Sequence, residues 1–570
     1  MSVTAALCGL SGPLQALCAL PWPLIVAVGI VVPIAVVLLA DRYIIGVPYP
    51  PTIPLVRELE GARRFSLRTR LAYYIDCKPL YEEAWDKHLR HGRPVVVPGL
   101  GFRREVLLPP DHIRWAISQP EAGLSVPAAM IDVNQATYSL GHAGPVLDGW
   151  QGMLVKTELN RALETLCEAL DDELIFAFDS HFGTDTTSWR ELDLLATLAK
   201  VIAQAGARFT VGLPVCRDQA YVQSVLDINH LLISTGSILS GIPIFLRPIL
   251  GPLLGLPMRF RLHRIEKWLV PLWKQRVGLV QRAQKGEQDS SDAGLEEEDY
   301  VLMMARYAVH NRPEELENLF LIVRRICAQN FGSVHQTSIQ ATNLLLNILG
   351  SDAEFNTIAA LREESTRILN TPTGDDAAAA AAPKAAGNRR PAAGRWTKAR
   401  VNRMVLADSA SRETLRLHSF GNRALFRKVM VPDLTTPGGH VLPKGTIVSF
   451  LTWSPQTDPD THADPLTYDP FRFVRGAASG EDGEKKTRNF VTTAPDFLPF
   501  GHGKHACPGR FLVDFELKMI IAHVLRHYDV RFPDEYRGKR PPNRWVAEAC
   551  FPPAGVRVCV RRREKPYGAE

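Results

Sequence analysis

The chain has 570 residues, 46% of them hydrophobic and 22% charged, which is enough apolar content for a large core and excludes a chain disordered throughout. Its 66 Lys and Arg against 60 Asp and Glu leave a formal charge of only +6, too thin for the basic face of a nucleic-acid binder. Nine irregularly placed cysteines with no CxxC pair exclude a disulfide framework and fit a reducing compartment.

No charged residue and no histidine occurs in residues 1–40, and residues 24–40 (LIVAVGIVVPIAVVLLA) are continuously apolar, long enough with their flank to span about 30 Å of hydrocarbon. A cleaved signal peptide would want a basic start, which is absent, so residues 1–43 are read as a single-pass anchor. Arg57, Arg63, Arg64, Arg68 and Arg70 follow it and nothing basic precedes it, which leaves the rest of the chain on the cytoplasmic side. Residues 44–54 hold a proline-dense stretch (VPYPPTIP), a stiff hinge that can be neither helix nor central strand.

Residues 55–570 read as one catalytic domain, mainly α with minor β. Short apolar runs at 94–97 and 105–108 suggest a small sheet near the start, and beyond about 150 the periodicity is helical over 159–181, 188–209, 219–234, 264–284 and 314–349. Residues 234–258 form an apolar run spaced by prolines, with Arg247 its single charge; it is expected to make short helices that dip into a bilayer interface. Residues 371–394, rich in Ala, Pro and Gly, and 476–488, small and charged, are expected to be flexible surface insertions. The long segment 314–349 is apolar nearly all round except for a polar centre, NFGSVHQTS, at 330–338.

Residues 497–512, FLPFGHGKHACPGRFL, carry the most specific signal. Gly501 and Gly503 permit turns that a side chain would block, and Pro508 and Gly509 follow Cys507, so the loop presents a thiolate that Phe500 can cover. One cysteine cannot close a zinc site, whereas a lone axial thiolate is what a heme iron needs to cleave O–O bonds. Glu413 and Arg416 stand three apart on one helical face, an arrangement that alone carries little, since such pairs are common on helices.

The stretch 500–509, FGHGKHACPG, resembles the heme-binding signature of cytochrome P-450 monooxygenases, F-x-x-G-x-R-x-C-x-G, with His505 where most members have Arg. The pair Glu413 and Arg416 resembles that family's ExxR motif, and YDPFRF at 468–473 its PERF-like segment, which would bring Arg472 to the pair. FGSVHQTS at 331–338 is similar to the family's distal-helix motif, with Gly332 and Ser333 at the small positions, His335 at the acid position, Gln336 where the usual threonine stands and Thr337 as the second hydroxyl. The resemblance covers the chain outside the two insertions and implies the cytochrome P-450 fold of a microsomal fungal type, with heme b between the long helix and the Cys507 loop.

It further implies roles. Cys507 would be the axial iron ligand; Phe500, Gly503, His505, Gly509 and Arg427 would contact the heme, His505 and Arg427 through its propionates. His335, Gln336 and Thr337 would deliver protons, and Phe331, Gly332, Ser419 and Phe420 would line the substrate pocket under a mobile roof at 125–142. The implied reaction is monooxygenation of a lipophilic small molecule, a secondary metabolite of terpenoid or polyketide kind, at the endoplasmic-reticulum membrane. O2 is the oxidant, and the absence of a Gly-rich dinucleotide fingerprint makes a separate NADPH-dependent flavoprotein reductase the electron source, docking near Lys504 and Arg510. Two alternatives stand beside it: oxidative rearrangement, cyclisation or coupling without net hydroxylation, motivated by Gln336, and a non-catalytic heme-binding protein.

Overall fold

The computed structural model describes residues 50, 52–100, 104–287, 298–371, 395–478 and 488–568, together with the isolated positions 31, 32, 35, 36 and 39. Almost all of the expected anchor, most of the hinge, residues 372–394 and residues 479–487 therefore lie outside the described residues. Among the described residues no helix is long and apolar enough to cross a membrane.

The architecture is mainly helical, with sheets at its margins. In chain order the helices that matter for the site are α1 (Leu67–Ile75), α2 (Lys78–Lys87), α3 (Val126–Asn134), α4 (Trp150–His181), α5 (Leu194–Thr210), α6 (Gln219–Ser240), α7 (Arg247–Leu254), α8 (Leu256–Lys285), α9 (Leu319–Phe355), α10 (Val405–His418) and α11 (Arg510–His527). Their starts are set by local chemistry. Ser66, Ser125, Asp193, Asp218 and Asn318 each accept a backbone N–H of the first turn through the side chain, satisfying donors that a helix start leaves unpaired.

Those caps correct several expected boundaries. The long helix begins at Leu319, not 314, because Pro313 opens a short 3₁₀ turn, and it runs on to Phe355. It is also unbroken through Gly332 and Ser333. The helix expected over 188–209 begins only at Leu194, because Arg190–Asp193 is a strand. Helices α1 and α2 were not anticipated in the region read as a small sheet.

That sheet exists, with five strands in the order β1-β2-β8-β5-β3: β1 (Val95–Pro98), β2 (Arg104–Leu107), β3 (Leu124–Ser125), β5 (Arg423–Val429) and β8 (Ile447–Leu451). Only β2 and β8 run parallel. Strand β4 (Arg190–Asp193) pairs instead with the chain's last strand, β12 (Arg557–Arg562), in a second sheet completed by β9 (Tyr528–Arg531). Two small hairpins remain, β6 (Asp433–Thr435) with β7 (Val441–Pro443), and β10 (Arg544–Val546) with β11 (Ala549–Phe551).

Two apolar cores hold these layers. The larger gathers α4, α5, α6, α8, α9, α10 and α11, and the smaller lies under the five-stranded sheet. From Thr337 to Leu349, helix α9 is buried on every side although it carries Gln340, Thr342, Asn343 and Asn347, so its polar groups must find partners inside the protein.

Candidate active site

The Cys507 loop is folded by its glycines and by the helix that follows. Gly501 (φ 66°) and Gly503 (φ 74°) adopt the left-handed backbone, and a Cβ on Gly503 would come within 3.1 Å of Ile117 Cδ1. The Cys507 N–H donates to the Phe500 carbonyl at 2.7 Å, closing the turn. Phe500 is partly buried, edge-on to Phe490 at 5.2 Å. Burial pushes the Cys507 thiol up, while the backbone N–H groups of Gly509 and Arg510 and the Arg510 cation pull it back toward the thiolate. Arg510 ties the loop from within, donating to the carbonyls of Cys507 (2.7 Å) and Val491 (3.1 Å), whereas Lys504 is exposed. Among the described residues no group of three or more His, Cys, Asp and Glu side chains forms a metal cage, so this thiol stands alone.

Beside the loop, strand β5 changes register between Ala424 and Arg427, and Leu425 takes a φ of 56° there. The bulge turns Arg427 inward. Its Nη1 donates to the Leu425 carbonyl at 3.0 Å, and its Nη2 is buried with no partner, although the group is only 2% exposed. His505 Nε2 lies 3.1 Å from Glu121 Oε1. Burial holds the His505 imidazole down, Glu121 pulls it up, and Arg427, Lys504 and Lys156 add to the lowering, so these charges share one neighbourhood. Glu121 and Lys156 were missed in the sequence because neither belongs to a motif and both reach His505 only through the fold.

Glu413 and Arg416 are fully buried on α10, joined by two contacts of 2.7 Å. Arg416 also donates to the carbonyls of Gln456, Pro465 and Thr467. Arg472 Nε reaches Glu413 Oε1 at 3.1 Å and its Nη1 the Ala463 carbonyl at 2.7 Å. One carboxylate thus pins an irregular segment of chain through two arginines, and their charge together with burial pushes nearby His462 down to about 4.

Helix α9 presents His335 between two phenylalanines. Phe331 stacks on it at 6.3 Å, Phe420 meets it edge-on at 5.5 Å, and Phe551 meets Phe420 edge-on at 5.4 Å. His335 Nε2 is buried without a partner, and burial, helped by His230, pushes the imidazole down to about 4. It is therefore neutral at physiological pH. The expected trio also divides. Gln336 is exposed, while Thr337 is 1% exposed and its hydroxyl has no partner. Gly332 opens on space, with nothing within 4 Å of where a Cβ would be, and buried Ser419 donates to the Gly421 carbonyl at 3.4 Å. The expected roof, residues 125–142, contains α3, tied to β5 by a 2.6 Å ion pair between Asp132 and Lys428.

Comparison with known proteins matches this geometry. The sequence profile of the family described as Cytochrome P450 matches residues 219–560. The chain is 44% identical over 531 residues to cytochrome P450 monooxygenase astC of Aspergillus terreus, covering 92% of this chain and 95% of that protein. It is 43% identical to cytochrome P450 monooxygenase pbrC of Penicillium brasilianum over 91% of this chain and 93% of that one. With cytochrome P450 monooxygenase tenB of Beauveria bassiana it shares 40% identity, again over 91% and 93%. Identity at this level over nine tenths of the chain, on a fold that isolates one thiol at a helix start, means that the chain belongs to the cytochrome P450 family of heme-b oxidoreductases.

Proposed function

We propose that this chain is a membrane-anchored monooxygenase that inserts one oxygen atom of O2 into a lipophilic small molecule, a fungal secondary metabolite of terpenoid or polyketide kind. The balance is RH + O2 + 2 e− + 2 H+ giving ROH + H2O, with the electrons passed from NADPH by a separate flavoprotein reductase. The observation that carries the reading is Cys507, a single thiol held by backbone donors at the start of α11. Heme b, when bound, supplies the iron at which dioxygen is activated.

The residues present fit that cofactor. Cys507 would ligate the iron; the orphaned Arg427 Nη2 is a buried donor suited to a propionate, and His505 is a second donor once it releases Glu121. Gly503 and Phe500 would pack on the proximal side. Gln336, with both a donor and an acceptor on an exposed amide, would hold a proton-carrying water, while Phe331, Gly332, Ser419 and Phe420 would line the pocket.

The membrane reading rests on the apolar segment 24–40 and on a second patch. Ile238 of α6, Ile244, Phe245, Ile249 and Leu253 around α7, and Phe260 of α8 are all at least half exposed. Such a patch in a chain that also carries that apolar segment favours interfacial contact at the endoplasmic-reticulum membrane, with the catalytic domain in the cytoplasm.

Turnover with reductase, NADPH and labelled dioxygen tests the reaction. Incorporation of one labelled oxygen into product is expected. A labelled-free rearranged or coupled product would favour the alternative reading, which the exposed Gln336 at the threonine position supports.

A further inference from the structure

Beyond the pocket, helix α9 carries three buried amides, Gln340, Asn343 and Asn347, all directed at His418, the last residue of α10. Gln340 Nε2 and Asn343 Nδ2 both donate to the His418 carbonyl, at 3.1 and 3.4 Å. Asn347 Nδ2 lies 3.2 Å from His418 Nδ1 and 3.1 Å from Thr414 Oγ1. Burial and the nearby Arg540 and Arg416 cations hold His418 well below the usual histidine range, so it is neutral and its Nδ1 accepts.

One side chain orients this network. Arg540 Nη2 donates to Asn343 Oδ1 at 2.9 Å and to Asn543 Oδ1 at 2.7 Å. A guanidinium can only donate, so each amide must turn its oxygen toward Arg540 and its NH2 away. The Asn343 NH2 then faces the His418 carbonyl, and the Asn543 NH2 faces Asn343 Oδ1 (3.1 Å) and Cys550 Sγ (3.3 Å). Arg540 packs against Gly350 of α9, where a Cβ would stand 3.0 Å from its own. Among the described residues no carboxylate pairs with it, and burial lowers its pKa to about 10, which leaves it cationic at neutral pH.

Both ends of the network adjoin the pocket. The His418 carbonyl precedes Ser419 and Phe420, and Cys550 precedes Phe551; the Cys550 N–H donates to the Phe420 carbonyl at 2.8 Å. Phe420, in the bend after α10, and Phe551, at the end of β11, thus form one wall fixed from behind on both segments, against which His335 packs.

We propose that Arg540 is a positioning residue of the distal pocket, acting through Asn343 and Asn543 to fix the Phe420–Phe551 wall and with it the pocket's preference among ligands of different bulk. The inference rests on the heme-thiolate reading above. The test uses the full-length holoenzyme and two iron-binding probes of different bulk read by their Soret shifts, imidazole and 4-phenylimidazole.

In Arg540→Met, 4-phenylimidazole should bind about tenfold more weakly, the scale of a lost buried charged hydrogen bond, while imidazole stays within about twofold. Asn343→Asp, which still accepts from Arg540 but cannot donate to His418, should change the ratio in the same direction. Arg540→Lys should restore most of it. Parallel changes for both probes, an unchanged ratio in Asn343→Asp, or loss of heme in all three variants would overturn the proposal. A wild-type protein without the red-shifted reduced-CO band would instead overturn the heme-thiolate reading on which it rests.

Discussion

Glu413 Oε1 lies 3.1 Å from Arg472 Nε, a residue 59 positions later in the chain. The same carboxylate holds Arg416 at 2.7 Å and accepts the Asp469 N–H at 3.2 Å, so two cations and a backbone donor share one fully buried acid. Removing Glu413 strands Arg416, and removing one member of such a buried pair typically costs about 3–5 kcal/mol. Glu413→Ala and Arg416→Ala should therefore yield protein with little heme, measured by the pyridine hemochrome. Arg472→Ala, whose partner keeps Arg416, should lose less. Full heme content with selective loss of turnover would show that the cluster acts in the chemistry and not in the fold.

Cys507 gives a spectroscopic test. Thiolate ligation should place the Soret band of the reduced CO complex at the strongly red-shifted position, and Cys507→Ala should lose it. Retention of that band in the variant would mean that another residue is the ligand.

What the sequence disclosed follows from the range of the interactions involved. Glu413 and Arg416 were legible because three residues on a helix are neighbours, and the Cys507 loop because its glycines are needed where φ is positive. Strand β4 was hidden because nothing local marks it; Asp193 pairs with Arg557, far along the chain, and the run 188–209 keeps a helical pattern across the boundary. Arg540 was invisible for the same reason, since its partner Asn343 lies far earlier in the chain, on α9. The separation of exposed Gln336 from buried Thr337 required the rotation of α9 against its neighbours, which periodicity alone does not set.

Glu516 makes a pH prediction with a definite sign. It sits on α11 against a small cavity lined by Leu163, Leu166, Cys167, Leu512 and Phe515, 2% exposed, with Oε2 unpartnered. Burial pushes its carboxyl from the ordinary 4.5 up to about 8. The folded state therefore keeps a proton that the unfolded state has lost; the stabilisation is complete below about 4.5 and disappears as pH rises toward 8, at about 1.4 kcal/mol per pH unit for one proton. Glu516→Gln removes this titration, so its denaturation midpoint should gain on wild type steadily between about pH 5 and 8. Parallel stability curves would show that the carboxyl is ionised or solvated in the folded protein.

The exposed patch around α7 predicts partial membrane retention. A chain lacking residues 1–42 should still fractionate in part with membranes, and Phe245→Asp together with Phe260→Asp in that background should release it. A truncated protein that is wholly soluble at both low and high salt would remove the second contact.

Gln336 offers a test of the proposed reaction type. It stands where the motif resemblance implies a threonine, on an unbroken α9, and it is exposed where Thr337 is buried. His335 next to it is neutral, held down to about 4 by burial, and cannot stand in as a charged acid near pH 7. On the proposed reading, proton delivery would rest on an amide that cannot itself ionise but can hold a water through its donor and its acceptor. On this account Gln336→Ala should lose that water and raise the share of NADPH electrons released as hydrogen peroxide several-fold, with the product unchanged. Gln336→Thr should keep the coupling close to wild type, because a hydroxyl holds the same water. His335→Phe should leave the pH–rate profile without a new step between about 5 and 8, since a group titrating near 4 contributes none there. If Gln336→Thr instead changed the product, the amide would be excluding the water, and the rearrangement reading would replace hydroxylation. Unchanged coupling and product in both Gln336 variants would place proton delivery elsewhere on the distal side.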